Sequence, residues 1–244
     1  MIDLHTHVLP SVDDGPKQLE ESMEMLADAY GQGVGLVVAT PHVVLHKEDA
    51  ISRFLSRRNE SFSLLSEEMK KAEKPFPKLL LGAEVFLDHD ISSQADLGAL
   101  CLEGTSHILV EFPLGAPYNP YWSEWLHSLI IRGFMPIVAH IDRYMHAEKM
   151  LADFRGLRLT YQINAARFRS FSGRRFVGRL LSESAPLVVS SDMHNNEIRH
   201  CDMKIAYTKA RRKFPEKADA LFSGTAKEIL KTYFGGEEYV KTSY

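Results

Sequence analysis

The chain has 244 residues, of which 29 are Lys or Arg and 32 are Asp or Glu, leaving a formal net charge of −3. That balance excludes a globally basic polyanion binder, while 45% hydrophobic and 25% charged residues exclude a long disordered or collagen-like chain. Two cysteines, Cys101 and Cys201, allow at most one bridge, so a reducing, cytoplasmic setting is expected.

Met1 to Leu4 runs straight into His5-Thr6-His7 with no cationic or apolar leader ahead of it, so no removable segment is expected. No run of 18 or more apolar residues follows, and membrane insertion is not expected. Short apolar runs then alternate with segments of helical period. Met1 to His5 reads as a strand. Leu19, Met23, Leu26, Ala27 and Tyr30 share one helix face, with Pro16 at its entry and Gly31 and Gly33 at its exit. Leu36 to Ala39 is the next strand, and an amphipathic helix runs from Glu48 to Ala72 until Pro75 and Pro77 break it. Further strands are expected at Leu79 to Ala83, Ile108 to Phe112, Pro136 to Ala139, Leu159 to Ile163 and Leu187 to Val189. Helices are expected at Pro120 to Arg132, Ala147 to Phe154, Arg174 to Glu183, Asp202 to Phe214 and Thr225 to Phe234. Seven strands separated by helices point to a parallel, wound or closed sheet. No linker, short repeat or shift of composition divides the chain, so residues 1–244 read as one domain.

The polar residues lift this pattern above a generic α/β chain. His5 and His7, His42, Glu84, Glu111, His140, and Asp192 with His194 each fall at or just past the end of an expected strand. In a (β/α) barrel those carboxyl ends open on one face, so residues far apart in the chain converge there. His5-x-His7 puts both imidazoles on one side of a strand, and Asp192-x-His194 repeats that spacing. One histidine after a strand is usually structural, but eight donors at matching positions read as a metal centre. Asp13-Asp14-Gly15 adds a further carboxylate, the other Asp serving a turn or cap, and the spacing leaves open which is which. Nine such donors exceed what one or two ions take while leaving room for water and substrate, so three divalent ions are expected. The absence of thiolates favours manganese, iron or zinc over copper.

The ordered set Asp3-Leu4-His5-Thr6-His7, Asp13-Asp14-Gly15, Thr40-Pro41-His42, Gly82-Ala83-Glu84, Glu111-Phe112, Ala139-His140 with Arg143-Tyr144, and Ser191-Asp192-Met193-His194-Asn195 resembles the PHP (polymerase and histidinol phosphatase) superfamily. Within it, the sequence is most similar to bacterial manganese-dependent protein-tyrosine phosphatases of capsular and exopolysaccharide systems. The resemblance runs from Met1 to about Phe234. It implies a distorted (β/α)7 TIM-like barrel with a trinuclear centre, and manganese as the metal ahead of iron or zinc. It places the metal ligands on His5, His7, Asp14, His42, Glu84, Glu111, His140, Asp192 and His194, and so chooses Asp14 over Asp13. It also places phosphate-binding arginines at Arg143 and Arg199, a role suited to a planar, permanently charged fork. Two departures stand out: Ile141-Asp142 replaces the usual Pro-Glu, and Val43 to Asp49, which would border the substrate, offers no specific match.

The chemistry expected is hydrolysis of phosphotyrosine by a metal-bridging hydroxide in line with the tyrosyl oxygen, without a phosphoenzyme. A phenolate, with pKa near ~10, leaves more readily than an alkoxide. The thiol route is excluded, because the position a Cys-x5-Arg cradle needs for arginine holds His107 after Cys101 and Tyr207 after Cys201. The partner implied is the phosphotyrosine tail of a bacterial tyrosine autokinase, a homo-oligomer is compatible, and a nucleic-acid role has no support. The alternatives are a small-molecule phosphatase such as histidinol phosphatase, and a non-catalytic metal-binding module. His46 reads as a surface residue or a substrate contact. Arg167 to Arg175 reads as a solvated basic turn or a guide for an acidic phosphopeptide. Tyr121, Trp122 and Trp125 are expected to pack their helix on the sheet.

Overall fold

The computed structural model of the chain describes residues 1–182 and 186–233. Its strands are β1 (Ile2–Thr6), β2 (Leu36–Ala39), β3 (His42–Val44), β4 (Lys78–Leu81), β5 (Glu84–Phe86), β6 (His107–Glu111), β7 (Met135–Val138), β8 (Thr160–Asn164) and β9 (Leu187–Ser190). The helices are α1 (Leu19–Gly31), α2 (Ala50–Lys71), α3 (Trp122–Ile131), α4 (Ala147–Asp153), α5 (Phe171–Ser182), α6 (Met203–Lys213) and α7 (Thr225–Ile229). Every strand pair is parallel, in the orders β1-β2-β4 and β3-β5-β6-β7-β8-β9. This is the α/β order expected from the alternation of apolar runs and helical segments.

Two expected strands are longer and interrupted. Pro41 has no N–H to continue a ladder, so β2 stops at Ala39 and the chain resumes as β3, bonded to β5 instead. At the neighbouring break, a side chain at Gly82 would lie 2.8 Å from Leu102 and 3.1 Å from Thr40, so only glycine lets the strands pass this closely. These breaks place His42 and Glu84 side by side at the start of β3 and β5, in register. Between β1 and β9 there is no ladder. The seam is a single bridge from Thr6 to Met193, with Asp192 N donating to His5 O (3.0 Å) and His7 N to Met193 O (2.9 Å).

The strands read as near-continuous apolar runs because both of their faces are covered. One buried cluster, including Ile2, Leu4, Leu36, Val38, Leu109, Ile137 and Val188, lies on one side of the strands, and the larger one packs them against the helices. Helix α1 starts at a capping box in which Glu21 reaches back to the Gln18 and Lys17 N–H groups. Helix α2 buries Ile51, Phe54, Arg58, Ser61 and Leu65, the spacing of one helical stripe. Trp122 is buried against Phe112 at 4.6 Å, but Tyr121, expected to pack, is 57% exposed, because it stands ahead of the first turn of α3. Helix α5 begins three residues earlier than expected, since Ser170 Oγ accepts the Gly173 N–H at its start. The expected terminal helix starts at Thr225 as α7 but ends at Ile229, and a π-helical turn, Ala220–Gly224, precedes it; its expected end at Phe234, like Glu183 at the expected end of α5, lies outside the described residues.

Candidate metal centre

All nine sequence-predicted donors meet at the carboxyl ends of the strands. His5 and His7 project from the end of β1, His42 and Glu84 open β3 and β5, Glu111 ends β6, His140 follows β7, and Asp192 and His194 follow β9. Glu84 is the hub. Its Oε2 lies 3.0 Å from His42 Nδ1, 3.1 Å from His5 Nε2 and 3.2 Å from His7 Nε2, and its Oε1 lies 2.9 Å from His140 Nε2. Glu111 reaches His140 Nε2 at 3.2 Å and His42 Nδ1 at 3.6 Å. Asp14 Oδ1 stands 3.2 Å from His194 Nε2 and 3.5 Å from His42 Nε2. Asp192 Oδ1 is 3.6 Å from the rings of His5, His7 and His194. Seven of the nine form three overlapping compact groups: His7, Asp14, His42 and His194; His5, His7 and Glu84; His42, Glu84 and Glu111. His140 and Asp192 touch these groups without belonging to one.

The hydrogen bonds around the rings decide what the inward atoms are. Gln162 Oε1 accepts the His140 backbone N–H at 2.5 Å, so the His5 Nδ1 that lies 3.1 Å from the same oxygen carries a proton, and a neutral His5 presents a bare Nε2. Asp13 accepts N–H groups from Gly15 and His42 and stands 2.6 Å from His7 Nδ1, which fixes the His7 proton on its outer side as well. His194 Nδ1 donates to Asp192 O at 3.0 Å. With both rings neutral, the inner nitrogens of His5 and His7 are lone-pair atoms 3.1 Å apart, facing a carboxylate oxygen. Acceptors pressed together in this way call for a cation. Two of the inward atoms, Glu84 Oε2 and His194 Nε2, are fully buried with no hydrogen-bond partner. The donor set thus fits divalent metal.

The same carboxylates would draw a proton onto these rings in place of a cation. Burial disfavours a charged His7, yet the Asp13 and Glu84 carboxylates outweigh it and raise its pKa to about 10. His140 behaves alike, burial being overcome by Glu111 and Glu84 to reach about 9. Burial and the neighbouring His7 push His194 down to about 2. Burial opposes ionisation of Glu84, but the surrounding histidines hold its carboxyl well below the usual range. The cavity draws positive charge and ionised carboxylates, the condition a metal ion satisfies.

Arg143 and Arg199 flank this centre. Arg143 Nη1 is 3.3 Å from Asp192 Oδ2, while Arg199 Nη2 is 2.8 Å from Asp192 Oδ1 and its Nη1 is 3.5 Å from Asp14 Oδ2. Both stay about one-third exposed at the mouth, 38% and 32%. His140 and Asp192 have φ of 28° and 56°, a conformation that costs non-glycine residues about 1–3 kcal/mol. Their N–H groups are held by Gln162 and His5 O.

Several supporting residues escape a search for metal ligands. Asp13 orients His7. Gln162 and Asn164 form a relay on β8, whose end carries no histidine or acid: Gln162 Nε2 donates to Asn164 Oδ1 (2.8 Å), and Asn164 Nδ2 to Asp192 Oδ2 (2.8 Å). Their signal was the polar alternation Gln162, Asn164 against apolar Tyr161 and Ile163. Half-buried Asp142, in the departure from the family pattern, accepts the Asn164 N–H at 2.9 Å and so joins that relay. His46 does not reach the centre; it lies 2.6 Å from Asp88, whose other oxygen is 2.7 Å from His89. Two of the four arginines of the basic segment turn back on their surroundings, Arg169 to Asp202 at 2.5 Å and Arg174 to Phe168 O at 2.6 Å.

Comparison with known proteins agrees with this geometry. The family described as capsular polysaccharide synthesis, CpsB/CapC, matches residues 1–231. The tyrosine-protein phosphatase CpsB of Streptococcus agalactiae serotype III (strain NEM316) is 32% identical, the match covering 96% of this chain and 100% of the relative. The tyrosine-protein phosphatase YwqE of Bacillus subtilis (strain 168) is 26% identical over 95% of this chain and 92% of its own. A solved structure from work on B. subtilis YwqE and Streptococcus pneumoniae CpsB, described as unique metal-dependent tyrosine phosphatases, superposes with a TM-score of 0.81 at 25% identity, covering 95% of each chain.

Proposed function

The chain belongs to the capsular polysaccharide synthesis family CpsB/CapC, and from that premise we propose that it is a metal-dependent protein-tyrosine phosphatase acting in capsule or exopolysaccharide synthesis. One observation carries the reading: Glu84 Oε2 and the inner nitrogens of His5 and His7 converge within 3.2 Å while the rings' protons are committed outward, beside two arginines. The ligands are His5, His7, Asp14, His42, Glu84, Glu111, His140, Asp192 and His194. Three overlapping donor groups support three ions, and a set of oxygen and imidazole donors without thiolate supports manganese, with iron or zinc as substitutes. Bound there, such ions would neutralise phosphate oxygens and furnish hydroxide near neutral pH.

The chain's own residues complete the chemistry. Asp13 and Gln162 hold the His7 and His5 rings in the tautomer that presents Nε2 inward. Arg143 and Arg199 spend only one or two of their five N–H donors on Asp192 and Asp14, and the remainder hold the phosphoryl oxygens as charge builds on them. A phenolate needs little help to leave, which suits a mouth where acid and arginine rather than a proton donor surround the site. Neither cysteine takes part: both are buried, and burial raises the Cys101 thiol to about 12.

The substrate is phosphotyrosine on protein, and the proposed partner is the phosphorylated tail of a bacterial tyrosine autokinase in the cytoplasm. Two cavities support a polypeptide over a small metabolite. One, of about 670 Å³, opens from His42; the other, of about 440 Å³, opens from Asp14 and His194, so the centre lies along a groove rather than in a snug pocket. Among the described residues no helix is long and apolar enough to cross a membrane. The test is turnover of a phosphotyrosine peptide, p-nitrophenyl phosphate and histidinol phosphate by the manganese-loaded chain. Faster histidinol phosphate turnover selects the small-molecule reading. Metal-loaded protein inert toward all three selects a non-catalytic module.

A further inference from the structure

The two cavities that meet at the centre differ in charge. The one beyond Asp14 and His194 is bordered by Glu21, Glu24 and Glu197. The one beyond His42 runs between β3 and the first turns of α2, with Val44 and Phe54 as apolar walls and Arg53 and Arg57 at its edge. Those arginines stand one helical turn apart, on one face of α2. Arg53 is paired with Asp49 at 2.9 Å, whereas Arg57 has no hydrogen bond or ion pair among the described residues. By contrast, Arg169 and Arg174 of the basic segment after β8 are consumed by Asp202 and by backbone carbonyls. Unspent cationic charge beside the His42 cavity is carried by Arg57 on α2.

We propose that the groove between β3 and α2 receives the polypeptide flanking the phosphotyrosine and selects an acidic side chain there through Arg57, with Arg53 beside it. This rests on the phosphatase reading above. A chain whose phosphate lies at the centre must lead its neighbouring residues away along one of the two cavities. Glu21, Glu24 and Glu197 repel an acidic neighbour on one side, and a free guanidinium attracts it on the other. The half-exposed Val44 and the wall at Phe54 take the aliphatic stem of a glutamate, leaving its carboxylate at the guanidinium. Val44, in the stretch after His42 where the sequence offers no match to the family pattern, thus lines the groove, and the arginines that read the substrate follow on α2.

The test uses two fluorescent phosphotyrosine peptides identical except for Glu or Lys beside the phosphotyrosine, and their non-hydrolysable phosphonate counterparts. The full chain is expected to prefer the Glu peptide in kcat/KM and in anisotropy-measured Kd. Arg57→Glu is expected to lower the Glu-to-Lys preference by about tenfold in both readouts, with Arg57→Lys restoring most of it. An unchanged preference in Arg57→Glu overturns the proposal, as does a parent chain that binds both phosphonates equally. Should neither peptide be hydrolysed while the phosphonate preference still shifts with Arg57→Glu, the groove stands and the phosphatase reading falls.

Discussion

Two clusters of the same side-chain types sit on the same face of this molecule and behave oppositely. At the centre, the outer nitrogens of His5, His7 and His194 are committed to Gln162, Asp13 and Asp192 O, so lone pairs converge inward on Glu84. In the outer cluster, His46 and His89 direct ring nitrogens at opposite oxygens of Asp88, and the three close on themselves with their side chains 26–56% exposed. Residue type is shared. What differs is where the second ring nitrogen is anchored, and burial that denies water to the inner one.

The largest effect expected from that difference is metal removal. A chelator should abolish phosphatase activity, by about 10³-fold or more, with manganese restoring it, while a thiol-alkylating reagent leaves turnover of p-nitrophenyl phosphate intact. Retained activity in metal-free protein verified by elemental analysis would dismantle the comparison. Next, Arg143→Ala and Arg199→Ala should each lower kcat/KM by about 10²–10³-fold, the scale of losing one preorganised charge-stabilising donor, with metal content unchanged.

A smaller loss is expected from the anchors. Asp13→Ala and Gln162→Leu free the outer nitrogens of His7 and His5, so metal affinity should fall about 10–100-fold, read by isothermal titration with manganese. An affinity equal to the parent would show that ring anchoring is not what separates the two clusters. Strand β6 offers a subtler check, because Glu111 at one end meets the centre while half-buried His107 at the other has a buried Nδ1 with no hydrogen-bond partner. Burial pushes His107 down to about 4, below its unfolded value near 6.5. Between those values the unfolded chain binds more protons, so stability is full above about pH 6.5 and is lost as pH falls toward 4. Discounted for partial exposure, the loss is about 1–2 kcal/mol, and urea melts of His107→Gln should show a flatter dependence across that window. The smallest effect belongs to the outer cluster: His46→Ala should change metal content at the centre not at all and kcat by less than about twofold.

Much of the molecule was legible in its sequence. The strands at Leu36–Ala39 and Leu187–Ser190 and the helices α1 and α2 follow from apolar period and from Pro75 and Gly33 as breaks. The candidate donors at strand ends were legible because parallel strands share one carboxyl edge. Less so were β3 and β5. Each has three residues, too few to show a period, and each exists because Pro41 and Gly82 let the chain change partners. Asp13, Gln162 and Asn164 were hidden for another reason: an orienting residue touches a metal donor rather than a metal, and neither polar alternation on β8 nor an Asp before a glycine says which donor it touches.

By itself, the sequence determined which elements form and which donors stand at their ends, since both depend on neighbours within a few residues along the chain. Only the tertiary structure decided which lone pairs face one another, which of Asp13 and Asp14 turns toward His7, and which arginines are left free. Those outcomes depend on contacts such as Gln162 with His5 and Arg169 with Asp202, between residues 157 and 33 positions apart. A hydrogen bond has direction, and its direction is known only once both partners are in place.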